Sequence, residues 1–438
     1  MPTPTPDKTA NLGLPYLLAS QSDKHVTLNA GLQRLDFLAQ CRVESQCVTI
    51  EPSLPNPGQT WIVPAGASGP TWSGFAAGSL ANFCDGGWTL VSPTSGLSAY
   101  VRDEARSYIF DGDGWTQAML PYDQANRLIN GSFQIWQRGG NFVSITPNEF
   151  GPDRWRAVHS NAGGTQVNWS RTSLSPMNQL PASCGYALRL ETITNGTSPL
   201  GLEQALEDVR TLAGRWVCLS FYARASSALQ LTPSLEQRFG VAGSPPTTST
   251  LANVSVSTTW SRVERCVFLP GLTGKTIGAN SALALRLSYP SVASTWLEIT
   301  GIKLEAGRSA STFEGLSESC ELAACQRHFF STMIGRKPAA AQGLEGAMVQ
   351  GRLAAGSYYH RMSLRFPIRM RALPALSFFN PVTAGAQCTD ADEGVDCTNT
   401  QPLSFGQSPD QAVIFTQTPA SGTPGNMLAL HITATAEL

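Results

Sequence analysis

Residues 186–194, YALRLETIT, and 295–307, TWLEITGIKLEAG, decide the fold. In the first, Leu188 and Leu190 alternate with Ala187, Arg189 and Glu191; in the second, Leu297, Ile299 and Gly301 alternate with Glu298 and Thr300. A period of two belongs to a strand with one face in a core and the other in water. Stretches of the same kind surround them: LINGSFQIWQRG from residue 128, TQVNWSRTSL from 165, WVCLSFYARAS from 216, TWSRVERCVFLP from 259 and ALALRLSYP from 282. No helical period intervenes, so residues 123–316 read as one jelly-roll β-sandwich.

On either side the pattern changes. Leu28, Leu32, Leu35 and Leu38 recur at helical spacing, with Ser22 or Asp23 placed to cap the helix. Short strands with Asp-Gly turns, CDGGW and DGDGW, follow up to residue 117. DGDG lacks the register and closing Glu of an EF-hand, so it reads as a hairpin turn. Residues 1–122 thus form a helix plus a small β module. Beyond the sandwich, Leu322, Cys325 and Phe329 share one face of a helix expected over 317–330, within a linker spanning 317–344. Residues 345–438 return to strands as a second, C-terminal β-sandwich, closing on MLALHITATAEL, which alternates as a half-buried strand. The fold class is mainly β.

The 438 residues carry a formal charge of −1, with only 14% charged, so no basic stripe offers itself to nucleic acid. The 40 Gly and 29 Pro fit many short strands joined by tight turns. Residues 1–10 show neither a basic nor an apolar leader region, and no run reaches the roughly 18 apolar residues of a membrane span. The expectation is synthesis in a bacterial cytoplasm and release by lysis, without membrane insertion. Ten cysteines lie far apart and form no CxxC pair. Cys218 and Cys266 sit in apolar runs as small hydrophobes, and Cys388 and Cys397 bracket a polar loop as the pair best placed for a disulfide.

HExxH and GxSxG are absent, and no repeat of solenoid period appears, so no catalytic residue is assigned and the chain is read as a non-enzyme. Glu203, Glu207 and Asp208 are the densest acidic group and read as a solvated edge or loop. A sugar ring offers an apolar C–H face, so glycan sites join an exposed aromatic to amides, carboxylates or Arg. Trp136 with Gln137 and Arg138, Trp155 with Asp153 and Arg154, and Trp169 are the candidates. A Trp in a strand also serves as core, and Trp216 in WVCLSF reads as buried. For contacts between copies of the chain, the candidates are Leu28, Leu32 and Leu35 near one end and Leu322 and Phe329 at the second junction. Packing within one subunit is the alternative for both.

The stretch NLGLPYLLASQSDKHVTLNAGLQRLD from residue 11, with WIVPAGA and DGDGW after it, resembles the N-terminal module of tail-associated phage and gene-transfer-agent proteins. LINGSFQIWQRG, DRWRA, LEDVRTLAGRWVCLSFYARA and ITGIKLEAG resemble the carbohydrate-binding-like jelly roll of tail fibres and head spikes, and FPIRMRALPALSFFNP with ITATAEL is similar to a fibre tip. The resemblance implies a homotrimeric virion component that joins other particle proteins through residues 1–122 and adheres to host surface polysaccharide. A structural adaptor without glycan binding is the alternative, and a glycan depolymerase a more distant one. NGSFQ at 130–134 also resembles the opening strand of jelly rolls that hold a structural calcium; Asn130 and Glu305 would be its ligands here, with Gln134 where an acid is expected. No other cofactor is implied.

Overall fold

The computed structural model describes residues 8–17, 24–104, 106–118, 125–160, 164–175, 180–333, 335, 343–383 and 385–438. The chain divides into two compact units, Met1–Tyr122 and Asp123–Leu438. The residues read as separate sandwich, linker and tip all lie in the second.

The first unit holds helix α1 (Lys24–Leu38), a four-stranded and a three-stranded sheet. Its core joins Phe37 to Val43, Ile62, Leu80, Val91, Val101 and Tyr108. Of the leucine stripe, Leu38 packs against this core, but Leu28 and Leu35 are 48% and 54% exposed and Leu32 is half-buried, while Asp36 and Phe37 point inward. Asp36 accepts hydrogen bonds from Thr9 Oγ1 and from the backbone N–H groups of Asn11 and Leu12, tying the N-terminal segment to α1. The proposed capping residues Ser22 and Asp23 lie outside the described residues. In DGDGW the Asp111 carboxylate accepts from the Asp113 and Gly114 N–H groups at 3.0 and 2.8 Å, so the side chain braces a hairpin turn.

Ten strands of the second unit form the body of a sandwich: β1 (Arg156–Val158), β2 (Gln166–Ser173), β3 (Tyr186–Thr194), β4 (Leu200–Leu206), β5 (Trp216–Ala225), β6 (Leu229–Arg238), β7 (Thr247–Thr250), β8 (Ser261–Phe268), β9 (Ala282–Tyr289) and β10 (Thr295–Ala306), with the two-residue strand Asn141–Phe142 at one edge beside β2. One sheet runs β8-β5-β10-β3-β2 and the other β7-β6-β9-β4-β1, with antiparallel ladders throughout. From β3 to β6 successive strands alternate between sheets, as in a jelly roll. Leu188, Leu190, Val217, Leu219 and Phe221 of the first sheet and Leu202, Leu235, Leu285 and Leu287 of the second are fully buried. Each such side chain contributes about 2 kcal/mol.

β10 departs from the simple alternation. Apart from its first two residues it is buried throughout, Glu298 and Thr300 included. The register against β5 slips between Ser220 and Tyr222, where Gly301 takes φ +62°. This bulge inserts one residue, so inward positions pass from Leu297 and Ile299 to Ile302 and Leu304.

Helix α2 is confined to Glu318–Gln326, and Phe329 opens a separate strand, Phe329–Ser331. That strand, Met348–Gly351, Ala375–Phe379 and Thr389–Asp390 all pair with the final strand Met427–Thr435. Flanked so completely, the final strand is buried on both faces rather than half-buried: Leu428, Leu430 and Ile432 enter the core, and His431 is enclosed between Thr332 Oγ1 at 3.0 Å and the Gly343 carbonyl at 2.9 Å. A second sheet of Tyr359–Arg365, Gln411–Gln417 and Thr398–Pro402 completes this region.

Candidate functional site

Most residues singled out for sugar contact form the interior. Trp155 and Trp169 are fully enclosed and Trp136 nearly so. Their indole N–H groups are used inside, Trp136 to the Phe133 carbonyl at 2.7 Å and Trp155 to the Asn130 carbonyl at 3.0 Å. Trp169 packs so closely on Gly151 that a Cβ there would lie 2.8 Å from its ring. The polar neighbours are likewise internal. Asp153 accepts from Arg138 at 2.9 Å and from Gln137, while Arg138 and Arg154 both reach Glu437. Arg138 also lies 3.5 Å above the Phe329 ring. Phe329 is thereby spent within its own chain and cannot serve as a contact between copies; Leu322 is half-buried. Burial pushes the Asp153 carboxyl up to about 6 against the pull of Arg138, and holds His328 down to about 2, with Arg154, Arg327 and Arg371 adding to the effect. This charged seam joins sandwich and C-terminal strands.

The calcium candidates are separately engaged. Asn130 is buried, with its side chain bonded to Ile135 and to the Asp153 carbonyl. Glu305 accepts from the Ser311 N–H at 2.7 Å and hydroxyl at 2.8 Å and pairs with Lys303 at 3.3 Å. Neither offers a free ligand atom toward the other. Among the described residues the one group with metal-ligand spacing is Cys218, Glu264 and Cys266. Its cysteines instead form a disulfide between directly opposed positions of β5 and β8, which corrects their reading as free hydrophobes. Cys388 and Cys397 remain free and buried.

The outward aromatic surface lies at the rim of the first sheet. Trp216 and Phe268, opposed at the ends of β5 and β8, are 39% and 49% exposed with ring centroids 6.0 Å apart. The exposed Arg308 places its guanidinium 4.8 Å from the Trp216 ring. Aromatic surface beside a multidentate donor is what a sugar ring requires. The signal lay in the alternation of WVCLSF: Val217, Leu219 and Phe221 face the core, so Trp216 must face away. Trp296 on the same sheet is a weaker platform, since Arg189 and Arg224 already stack over it at 4.4 and 5.6 Å.

The outer face of the second sheet is polar. Glu203, expected in a solvated edge, is fully buried beneath Arg156, Arg238 and Arg286. Burial pushes its carboxyl up, but hydrogen bonds and charge from Arg238 and Arg156 outweigh this and hold it down to about 2. A cleft of about 490 Å³ adjoins this row, lined by residues that include Thr197, Ser198, Gln230, Thr232, Ser288 and Ser291.

Residues 28–116 match the sequence profile of a family described as a protein of unknown function (DUF2793). No curated protein matches the chain. Among solved structures, the chain is similar to the enzymatically active domain of tailspike protein 4 of bacteriophage CBA120, at 15% identity and TM-score 0.26, covering 41% of this chain and 21% of that one. It is similar to the xylan-binding domain of Xyn10C from Paenibacillus barcinonensis at 15% identity and TM-score 0.25, covering 40% of this chain and 99% of that one. A sugar-binding protein from Bacteroides thetaiotaomicron, so described provisionally, matches at 14% identity and TM-score 0.27, covering 42% and 100%. The chain thus spans about a fifth of the tailspike domain and nearly the whole of the other two.

Proposed function

We propose that this chain is a non-catalytic fibre or spike protein of a phage or phage-like particle, adhering to host surface polysaccharide through its sandwich. The observation that carries the reading is the exposed Trp216–Phe268 pair beside Arg308, an aromatic rim on the β-sandwich. The resemblance of residues 11 to about 117 to tail-associated modules supports attachment to the particle through the first unit. The state of the carboxylates supports binding without cleavage: a glycosidase acid needs a raised pKa within reach of the polymer, whereas Glu203 is locked ionised by arginines, Glu207 is paired with Arg327 at 2.9 Å, and Asp153, raised to about 6, is sealed in the interior. A homotrimer is part of the proposal, because three weak rims on one particle arm bind by avidity. Leu28 and Leu35 on α1, and Tyr359 stacked at 4.8 Å on Phe415 in the C-terminal sheet, leave apolar surface for sister copies.

Retention of the full chain on immobilised capsular or surface polysaccharides tests the reading. Retention that Trp216→Ala weakens supports it, and failure to bind any polysaccharide of the panel removes it. Shortening of the polymer during incubation would favour the depolymerase instead.

A further inference from the structure

We propose that the outer face of the second sheet is a subsite for a carboxylate-bearing sugar, so that the polysaccharide bound is an acidic one containing uronate units. The inference rests on the adhesion reading but uses a different surface from the aromatic rim. Register places two rows side by side across β6, β9, β4 and β1: Thr232, Ser288, Gly201 and Val158 in one, and Ser234, Arg286, Glu203 and Arg156 in the next. Side chains two residues apart on a strand share a face and lie roughly 7 Å from one another, so both rows border the same stretch of surface. Thr232 and Ser288 of the first row enter the cleft of about 490 Å³, whose lining joins Pro199, Tyr289 and Pro290 to Ser198, Gln230 and Ser291. Beside it Gly201 lets the strands lie close, since a Cβ there would stand 2.8 Å from the Leu287 carbonyl oxygen.

Cationic side chains crowd the second row, with Arg238 reaching Glu203 from the row that holds Ala282. Arg238 donates to both Glu203 oxygens at 2.8 and 2.7 Å, Arg286 to one of them at 3.1 and 2.8 Å, and Arg156 Nε to the other at 3.0 Å. Arg238 also pairs with Glu236 at 2.6 Å. Three guanidinium groups thus face two carboxylates, leaving one positive charge in excess. The Glu203 side chain is wholly shielded, whereas those of Arg156, Arg238 and Arg286 are 23%, 26% and 39% exposed. The buried carboxylate acts as an internal counterion that fixes the guanidinium planes and turns their outer edges to solvent. A planar carboxylate accepting two parallel N–H bonds is the complementary ligand. A sugar unit seated in the cleft presents the carboxylate of its neighbour to Arg286 and Arg156.

The test compares full-length protein on polygalacturonate, on the same polymer after chemical reduction of its carboxyl groups, and on a neutral galactan, by affinity electrophoresis. The expected result is retention on polygalacturonate that falls at least tenfold after carboxyl reduction and falls similarly in Arg286→Gln and Arg156→Gln, with galactan retention unchanged. Comparison of the two polymers needs no variant, so misfolding of Arg286→Gln leaves the test intact. Equal retention on native and carboxyl-reduced polymer overturns the subsite, as does unaltered polygalacturonate binding in folded variants or no binding of that polymer at all. The galactan arm separates the two readings: galactan bound through Trp216 without polygalacturonate refutes the acidic subsite alone, while no retention on either polymer counts against adhesion as well.

Discussion

At the scale of single residues, the contrast between Trp155 and Trp216 shows what local pattern can reveal. DRWRA looks like a sugar site because its charges are adjacent in sequence, yet those charges answer partners such as Glu437, 283 residues away. Such partners are set by tertiary packing, which composition and spacing do not encode. Trp216 was misread for the opposite reason: its apolar neighbours suggested burial, although their alternation put it on the outer face. Trp216→Ala is expected to weaken polysaccharide binding at least tenfold, about 1.4 kcal/mol, with little loss of stability, measured by affinity electrophoresis and urea titration of the same protein. Gly301 is the converse case, a backbone requirement. A β-branched side chain would have to adopt φ +62° with its Cβ about 3.1 Å from the Tyr222 ring and 3.2 Å from Cys184 Sγ. Gly301→Val should therefore lower the free energy of unfolding by about 2–4 kcal/mol, read from the shift of the urea midpoint.

Among the elements, strands were legible wherever one face met water, as in β3, and misjudged where both faces were covered, as in β10 and the final strand. Helix α2 stops at Gln326 because Phe329 pairs with Thr435, a long-range ladder that local helical spacing cannot foresee. The disulfide between β5 and β8 had no sequence signature, because its 48-residue separation is closed by strand pairing. Reducing it should cost about 2–4 kcal/mol and lower the thermal midpoint, read from melting curves with and without reductant. Three buried groups, Glu203, His328 and Asp153, also set the acid response. Glu203, with its folded pKa depressed to about 2, contributes stability above its unfolded value of 4.5 that is lost as pH falls from there toward 2, about 3 kcal/mol in all. His328, depressed from 6.5, likewise favours the folded state above pH 6.5 and progressively less below it. Asp153, raised to about 6, works in the opposite direction, favouring the fold below 3.8 and losing that contribution as pH rises through 6. Glu203→Gln should flatten the unfolding free energy between pH 4.5 and 2, while a slope identical to wild type would show that the arginine cluster does not hold the carboxylate as described.

For the whole molecule, the mainly-β architecture follows from period-two patterning, abundant turn residues and the lack of any long apolar helical run. Which surfaces remain open did not follow, since exposure is decided by what packs on each face. The central claim is that the chain grips polysaccharide through the outer surface of its sandwich without cutting it. Its most direct test is incubation of the full-length protein with host surface polysaccharide, recording protein retention and polymer chain length together for wild type and Trp216→Ala. The expected outcome is retention by wild type, at least tenfold weaker retention by the variant, and an unchanged chain length in both. No retention by wild type, or a polymer that shortens with time, would contradict it.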